Sequence, residues 1–217
     1  TSSMGRGTTF SDRADAGRRL AAALRSRAIE ADLVLAVPRG GLPVGRPVAD
    51  ALDAPLDIVV AKKIGAPGNP EYAIGAVASD GTVWRNERAI GYTNASEEYF
   101  ERHRRAEAEG AREKARRYRG GDWEPDVSGK RVVLVDDGVA TGATVRACLR
   151  MLEKGEPAGL VLAVPVGSPE TIDELGDLTD TVVCIESPAH FRAVGQAYRR
   201  FDQVSDEEAM RYLDDAR

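Results

Sequence analysis

The segment Val132-Val133-Leu134-Val135-Asp136-Asp137-Gly138-Val139-Ala140-Thr141-Gly142-Ala143-Thr144 restricts the possible folds of this chain more than any other. Its opening apolar run is rich in β-branched residues and has the length of a strand buried on both faces, as in a parallel sheet. The run ends in two adjacent carboxylates. Small and hydroxyl residues follow and lead into a helical pattern that reaches about Lys154 and stops at Gly155. The N–H groups and dipole of such a helix start favour a phosphate. Thr141 and Thr144 add hydroxyl donors, and Gly142 lets the backbone approach a ligand closely. In open α/β sheets the carboxyl edge is where ligands bind. Unpaired neighbouring acids repel each other and a phosphate, so they serve stability poorly. They suit ribose hydroxyls or a hydrated magnesium ion.

The rest of the chain alternates in the same manner. A helical pattern starts at Ser11-Asp12 and places Ala16, Leu20 and Leu24 on one face. Asp32 to Val37 reads as a strand, Pro43 to Leu52 as a helix and Asp57 to Ala61 as a second strand. Gly65 to Pro70 reads as a loop of turn formers. Ile74 to Ala78, Thr82 to Trp84 and Ala89 to Tyr92 read as short strands. Ser96 is placed to cap a long charged helix ending near Arg119. Leu160 to Val164 and Thr181 to Ile185 are further strands around a helix from Pro169 to Leu175. This pattern predicts an α/β fold with a mostly parallel central sheet flanked by helices. Residues 1–9 read as a flexible tail and 10–217 as a single domain; the length of 217 residues with 42% hydrophobic suits one sizeable core.

Charge narrows the function classes. The net charge of −5 argues against a general nucleic-acid binder, so no DNA partner is expected. Arg104-Arg105 and Arg116-Arg117 are interleaved with glutamates, which suggests a solvated helix face. No apolar run reaches membrane-spanning length. Cys148 and Cys184 lack metal-type spacing and read as buried thiols of a reducing cytoplasm.

The stretch from Val132 to Thr144 resembles the phosphoribosyl pyrophosphate signature of type I phosphoribosyltransferases: a hydrophobic strand, two acids and a Thr-Gly-x-Thr loop. A second stretch, Val37-Pro38-Arg39-Gly40-Gly41-Leu42-Pro43-Val44-Gly45, is similar to the pyrophosphate loop of that family. A third, Lys62-Lys63-Ile64-Gly65-Ala66-Pro67-Gly68-Asn69-Pro70-Glu71, sits where the family carries a mobile loop. With Tyr72 to Val77 it resembles an uncharacterised subgroup of bacterial and archaeal members, from about Phe10 to Leu213. The resemblance implies the type I phosphoribosyltransferase fold, a Rossmann-like sheet with a small hood formed largely by about 184–217. It implies that Asp136 and Asp137 bind the ribose and, with Mg2+ as cofactor, the metal. Ala140, Thr141, Gly142, Ala143 and Thr144 would hold the 5-phosphate. Arg39, Gly40 and Gly41 would hold pyrophosphate, with a non-proline cis peptide expected between Arg39 and Gly40. Lys62, Lys63 and Asp137 would carry the chemistry. Taken singly, the glycines also read as a turn before a helix, and each lysine as a surface residue.

The hood candidate runs from Ile185 to Tyr198 and is faintly similar to that of purine enzymes, with Phe191 placed to stack on a base. Phe191 reads equally well as a core anchor, and Tyr198 and Phe201 as packing residues. The 6-oxopurine enzymes carry an aspartate just before the Thr-Gly step, where this chain has Ala140; Glu71 and Glu186 remain as acid–base candidates. The implied activity is transfer of the 5-phosphoribosyl group from phosphoribosyl pyrophosphate to a nitrogen base, a purine-like one favoured, with release of pyrophosphate. That is a cytoplasmic salvage reaction of nucleotide metabolism, carried out by a homodimer. The alternative is a non-catalytic regulator of the same fold that senses phosphoribosyl pyrophosphate.

Overall fold

The computed structural model describes residues 9–214, so the expected tail lies outside it except for Thr9. The chain opens with α1 (Arg13–Ser26), whose first turn is capped by Asp12 accepting from the Asp15 amide at 2.8 Å. There follow β1 (Leu33–Ala36), α2 (Gly41–Ala51) and β2 (Leu56–Ile58). An excursion then builds β3 (Ala61–Ala66), β4 (Asn69–Ala78), β5 (Val83–Arg85), α3 (Glu87–Gly91) and α4 (Glu97–Arg119). The chain returns through β6 (Arg131–Val135), α5 (Ala143–Lys154), β7 (Gly159–Val166), α6 (Pro169–Leu175) and β8 (Thr181–Glu186). A 3-10 turn (Val194–Ala197) and α7 (Asp206–Asp214) close it.

The central sheet has five parallel strands in the order β2-β1-β6-β7-β8. Both its faces are covered, which explains the unbroken apolar runs. On one face Val34, Ala36, Val133 and Val135 pack with Leu20, Leu24, Leu42 and Val48 of α1 and α2. On the other, Leu33, Leu35, Val132 and Leu134 pack with Val145, Leu149 and Leu152 of α5. The two-residue strand period thus feeds two cores from one strand. The second sheet, β3-β4-β5, is antiparallel and lies against α4 and α5.

Several expectations need correction. Gly65 to Pro70 is a hairpin rather than a loop: Ala66 pairs with Asn69, and Pro67-Gly68 turns the chain with Gly68 at φ 72°. Ala89 to Tyr92 is not a strand. The Asn86 side chain accepts from the Ala89 amide at 3.1 Å and starts the short helix α3, of which only Ala89 is buried. The long helix agrees closely with expectation: Ser96 caps it, Glu97 and Glu98 lie at its positive end, and Gly120 ends it in the left-handed region at φ 76°.

The basic pairs on α4 are tied to acids. Arg104 and Arg105 bond Glu101, and Arg116 bonds Asp122. Arg119 is almost wholly buried and fastens the end of α4 to β2, donating to the Ile58 carbonyl and to Glu124. Cys148 is buried and Cys184 partly so, both as free thiols. Among the described residues no helix is long and apolar enough to cross a membrane.

Leu134 is wholly buried in the central strand. Leu134→Ala is therefore expected to lower stability by about 2–5 kcal/mol. An earlier urea midpoint with an unchanged slope would confirm this; a midpoint like the wild type's would show that the two cores tolerate a cavity there.

Candidate functional site at the carboxyl edge

From β1 the chain crosses outward to β2, and from β6 it crosses the opposite way to β7. The neighbouring carboxyl ends of β1 and β6 therefore flank a topological switch point, the place where open sheets bind ligands. Residues 37–41 leave β1 there, and residues 136–144 leave β6.

The two loops touch. A methyl group on Gly40 would come within 2.1 Å of Asp137 Oδ2, and one on Gly41 within 3.1 Å of the Val135 carbonyl. Only glycine leaves room for the acid pair at this separation. The cis peptide lies between Pro38 and Arg39, one residue before the expected position. The Arg39–Gly40 peptide is already part of the helical turn, with Gly41 N–H bonding the Val37 carbonyl at 2.9 Å and Leu42 N–H the Arg39 carbonyl at 3.1 Å.

Asp136 Oδ1 accepts from the Asp137 amide at 2.8 Å. Asp137 Oδ2 accepts from Arg13 Nε at 3.0 Å. Arg13 also donates to the Asp202 carbonyl at 2.6 Å and lies over the Phe201 ring. The Tyr198 hydroxyl donates to the Asp137 carbonyl. Burial, followed by the charge of Asp137, holds the Asp136 carboxyl well above the usual range. Burial also raises Asp137, against the pull of Arg13. Two shielded acids thus share one adjacent cation, a donor set that fits a hydrated divalent ion. Among the described residues no third His, Cys, Asp or Glu completes a protein-only cage, so further ligands would be water or substrate oxygens.

In the following loop the carbonyls are held by side chains while the amides are left without partners. The Ala140 carbonyl accepts from Thr171 Oγ1 at 2.7 Å, and the Thr141 carbonyl from Arg146 Nε at 3.3 Å. Gly142, at φ 74°, opens α5 without a side-chain cap. The first bond into the helix runs from Arg146 N–H to the Gly142 carbonyl. The amides of Thr141, Gly142, Ala143, Thr144 and Val145 have no acceptor among the described residues. Such a row of free donors at a helix start suits an anion.

The remaining predicted residues are divided. Lys62 lies along α4 and faces the same cavity as Arg39. Lys63, next along β3, points to the other face and pairs with Glu71 at 3.1 Å. The structure does not bring these two lysines together. Phe191 is partly buried; it lines a cavity of about 250 Å³ with Glu186, Pro188 and His190 while packing against the Phe10–Tyr198 cluster. Phe10 forms a bridge to Tyr198, so the covering segment includes residues from the start of the described chain. Sequence reasoning missed Arg13 and the bond from Tyr198. Their contacts with Asp137 span 124 and 61 residues, and no local pattern signals them.

The sequence profile of the phosphoribosyl transferase domain matches residues 9–200. A Mycobacterium tuberculosis protein that carries the name phosphoribosyl transferase provisionally is 40% identical over 95% of this chain and 47% of its own length. The chain thus spans about half the length of that relative. The adenine phosphoribosyltransferase of Corynebacterium efficiens is 42% identical over 60 residues, 27% of this chain and 31% of that protein. The crystal structure of TT1426 from Thermus thermophilus superposes with a TM-score of 0.78 at 42% identity, covering 94% of this chain and 97% of the other.

The raised Asp136 carboxyl yields a stability prediction. As pH rises, the unfolded chain releases this proton first, so stability falls from the ordinary carboxylate range until the folded carboxyl ionises. Asp136→Asn removes that loss and can still accept from the Asp137 amide. In metal-free buffer the variant should melt above the wild type at pH 7, with the gap closing below about pH 4. Calorimetry showing no gain at pH 7 would mean that the pair ionises freely in the folded chain.

Proposed function

We propose that this chain, which belongs to the phosphoribosyl transferase domain family, transfers the 5-phosphoribosyl group of phosphoribosyl pyrophosphate to a nitrogen base and releases pyrophosphate. The observation that carries this reading is the meeting of three complementary parts in one crevice: the acid pair, the unpartnered amides of residues 141–145, and the glycine loop pressed against Asp137.

The roles follow from chemistry. The free amides with the Thr141 and Thr144 hydroxyls take the 5-phosphate. Asp136 and Asp137 take the ribose hydroxyls and hold Mg2+, which when bound neutralises charge on the pyrophosphate. Residues 39–41 and Lys62 face the leaving group. The C1–oxygen bond breaks with its electron pair going to pyrophosphate, and the nitrogen lone pair of the base forms the new bond to C1. Positioned donors and cations do most of this work, because the charge develops on the leaving group. Lys63, held by Glu71 on the other face of the hairpin, contributes only if the hairpin moves.

Phe191 stacks on the base, with Glu186 in the same cavity to take the proton that the base nitrogen loses. A purine-like base fits the planar contact and the short stretch shared with an adenine phosphoribosyltransferase. Ala140 leaves out the aspartate of the 6-oxopurine enzymes, which points away from hypoxanthine and guanine.

Pyrophosphate release from phosphoribosyl pyrophosphate and magnesium, measured across purine, pyrimidine and pyridine bases, tests the proposal. One base should support release, and Asp136→Asn/Asp137→Asn should reduce it by roughly 10²-fold or more. Calorimetric binding of the sugar phosphate without release for any base would favour the sensing alternative, and no binding would sink both.

A further inference from the structure

Beyond the ends of β6 and β7 their parallel pairing continues for one more step. The Val139 amide donates to the Val166 carbonyl at 3.0 Å, and the Ser168 amide to the Val139 carbonyl at 3.1 Å. There the backbone ladder stops. The next two carbonyls, those of Ala140 and Thr141, accept from side chains instead. Thr171 Oγ1, on α6, donates to the Ala140 carbonyl at 2.7 Å, and the Ser168 hydroxyl lies 3.4 Å from the same oxygen. Arg146 Nε, on α5, donates to the Thr141 carbonyl at 3.3 Å.

These bonds fix more than the carbonyls. The only cis peptide among the described residues is Pro38–Arg39, so both of these peptides are trans. A planar trans peptide points its N–H opposite to its C=O. Thr171 therefore sets the direction of the Thr141 amide, and Arg146 sets that of the Gly142 amide. Any helix start leaves its first four amides free, here Gly142 to Val145. The Thr141 amide lengthens that row by one. The first two donors of the row are thus the two whose peptides are held by side chains.

Both supports are themselves held. Thr171 is one of the few buried polar residues. The Arg146 side chain is only 11% exposed; its guanidinium lies 5.0 Å from the centre of the Trp84 ring and donates to Glu174 at 2.5 Å. One arginine thereby joins β5, α5 and α6 at the loop. Gly142 sits between the two supports, where a methyl group would stand 3.0 Å from Thr171 Cγ2 and 3.5 Å from Arg146 Nε. Thr141 itself is exposed, a place where water ordinarily serves a loop carbonyl, yet an anchored arginine does so here.

We propose that Thr171 and Arg146 are positioning residues for the 5-phosphate: by holding the Ala140 and Thr141 carbonyls they aim the Thr141 and Gly142 amides at its oxygens. They act through the loop and not on the ligand. Donors fixed in advance lose no freedom when the anion arrives, so their contribution is to affinity. The identity of the anion rests on the proposed function; the assignment of the two supports rests on the hydrogen bonds.

The test is titration calorimetry of the full chain with phosphoribosyl pyrophosphate and magnesium, with magnesium pyrophosphate as a probe that lacks the 5-phosphate. Thr171→Val keeps the side-chain shape and removes the donor. It should weaken phosphoribosyl pyrophosphate by roughly fivefold to tenfold, the effect of one lost hydrogen bond, and leave pyrophosphate unaltered. Thr171→Ser restores the hydroxyl without the methyl group and should recover the wild-type affinity. Arg146→Lys offers one point donor where two acceptors wait and should weaken phosphoribosyl pyrophosphate several-fold. Equal losses in the valine and serine variants would trace the effect to packing and overturn the inference. So would equal weakening of pyrophosphate, or wild-type affinity in a Thr171→Val variant that melts normally. If Thr171→Val does not fold, Arg146→Lys decides, and an unchanged affinity there would overturn the inference. A wild type that binds phosphoribosyl pyrophosphate while the variants match it sinks the positioning role alone; a wild type that does not bind it sinks the proposed function as well.

Discussion

The parallel pairing of β1 with β6, Leu33 to Ala36 against Val132 to Val135, is the constraint on which the crevice depends. It brings the end of one strand, which carries two acids, to within contact distance of the end of another, which carries two glycines. Because the chain leaves these strands in opposite directions, no crossover helix covers the gap. Charge does the rest. The acids sit where water reaches them poorly, Arg13 answers one of them, and the adjoining loop presents bare amides instead of a cap. Each of these features carries a cost when considered alone. Together they leave a crevice with a shielded acid pair beside a row of free amides.

Much of this was legible in the residues. Val132 to Val135 followed by Asp136-Asp137 read as a buried strand delivering acids to an edge, because the apolar run has strand length and β-branched composition. Ser96, with Glu97 and Glu98 behind it and Gly120 beyond, marked both ends of the long helix through capping chemistry that acts within one turn. The same local logic failed at Ala89 to Tyr92, where β-like composition gave way to a cap from Asn86. It failed again at Gly65 to Pro70, where turn formers proved to be the tip and flanks of a hairpin whose pairing extends beyond them.

What was not legible depends on distance along the chain. Arg13 is one arginine among many near the start, and only the folded sheet places it on Asp137. Lys62 and Lys63 are adjacent and indistinguishable in sequence, yet strand alternation sends one towards Arg39 and the other to Glu71.

The bridge between Phe10 and Tyr198, with Arg13 reaching from α1 to Asp137 and to the Asp202 carbonyl, also bears on how the protein is made. A ribosome delivers α1 early and β6 midway, whereas residues 198–206 emerge late. Until they do, the acid pair lacks the Tyr198 hydroxyl, and Arg13 lacks both the Phe201 ring beneath it and one of its acceptors. The crevice is therefore laid out by the pairing of the strands but locked only by residues that follow β8, so a nascent chain halted after β8 would have its strands without a finished pocket.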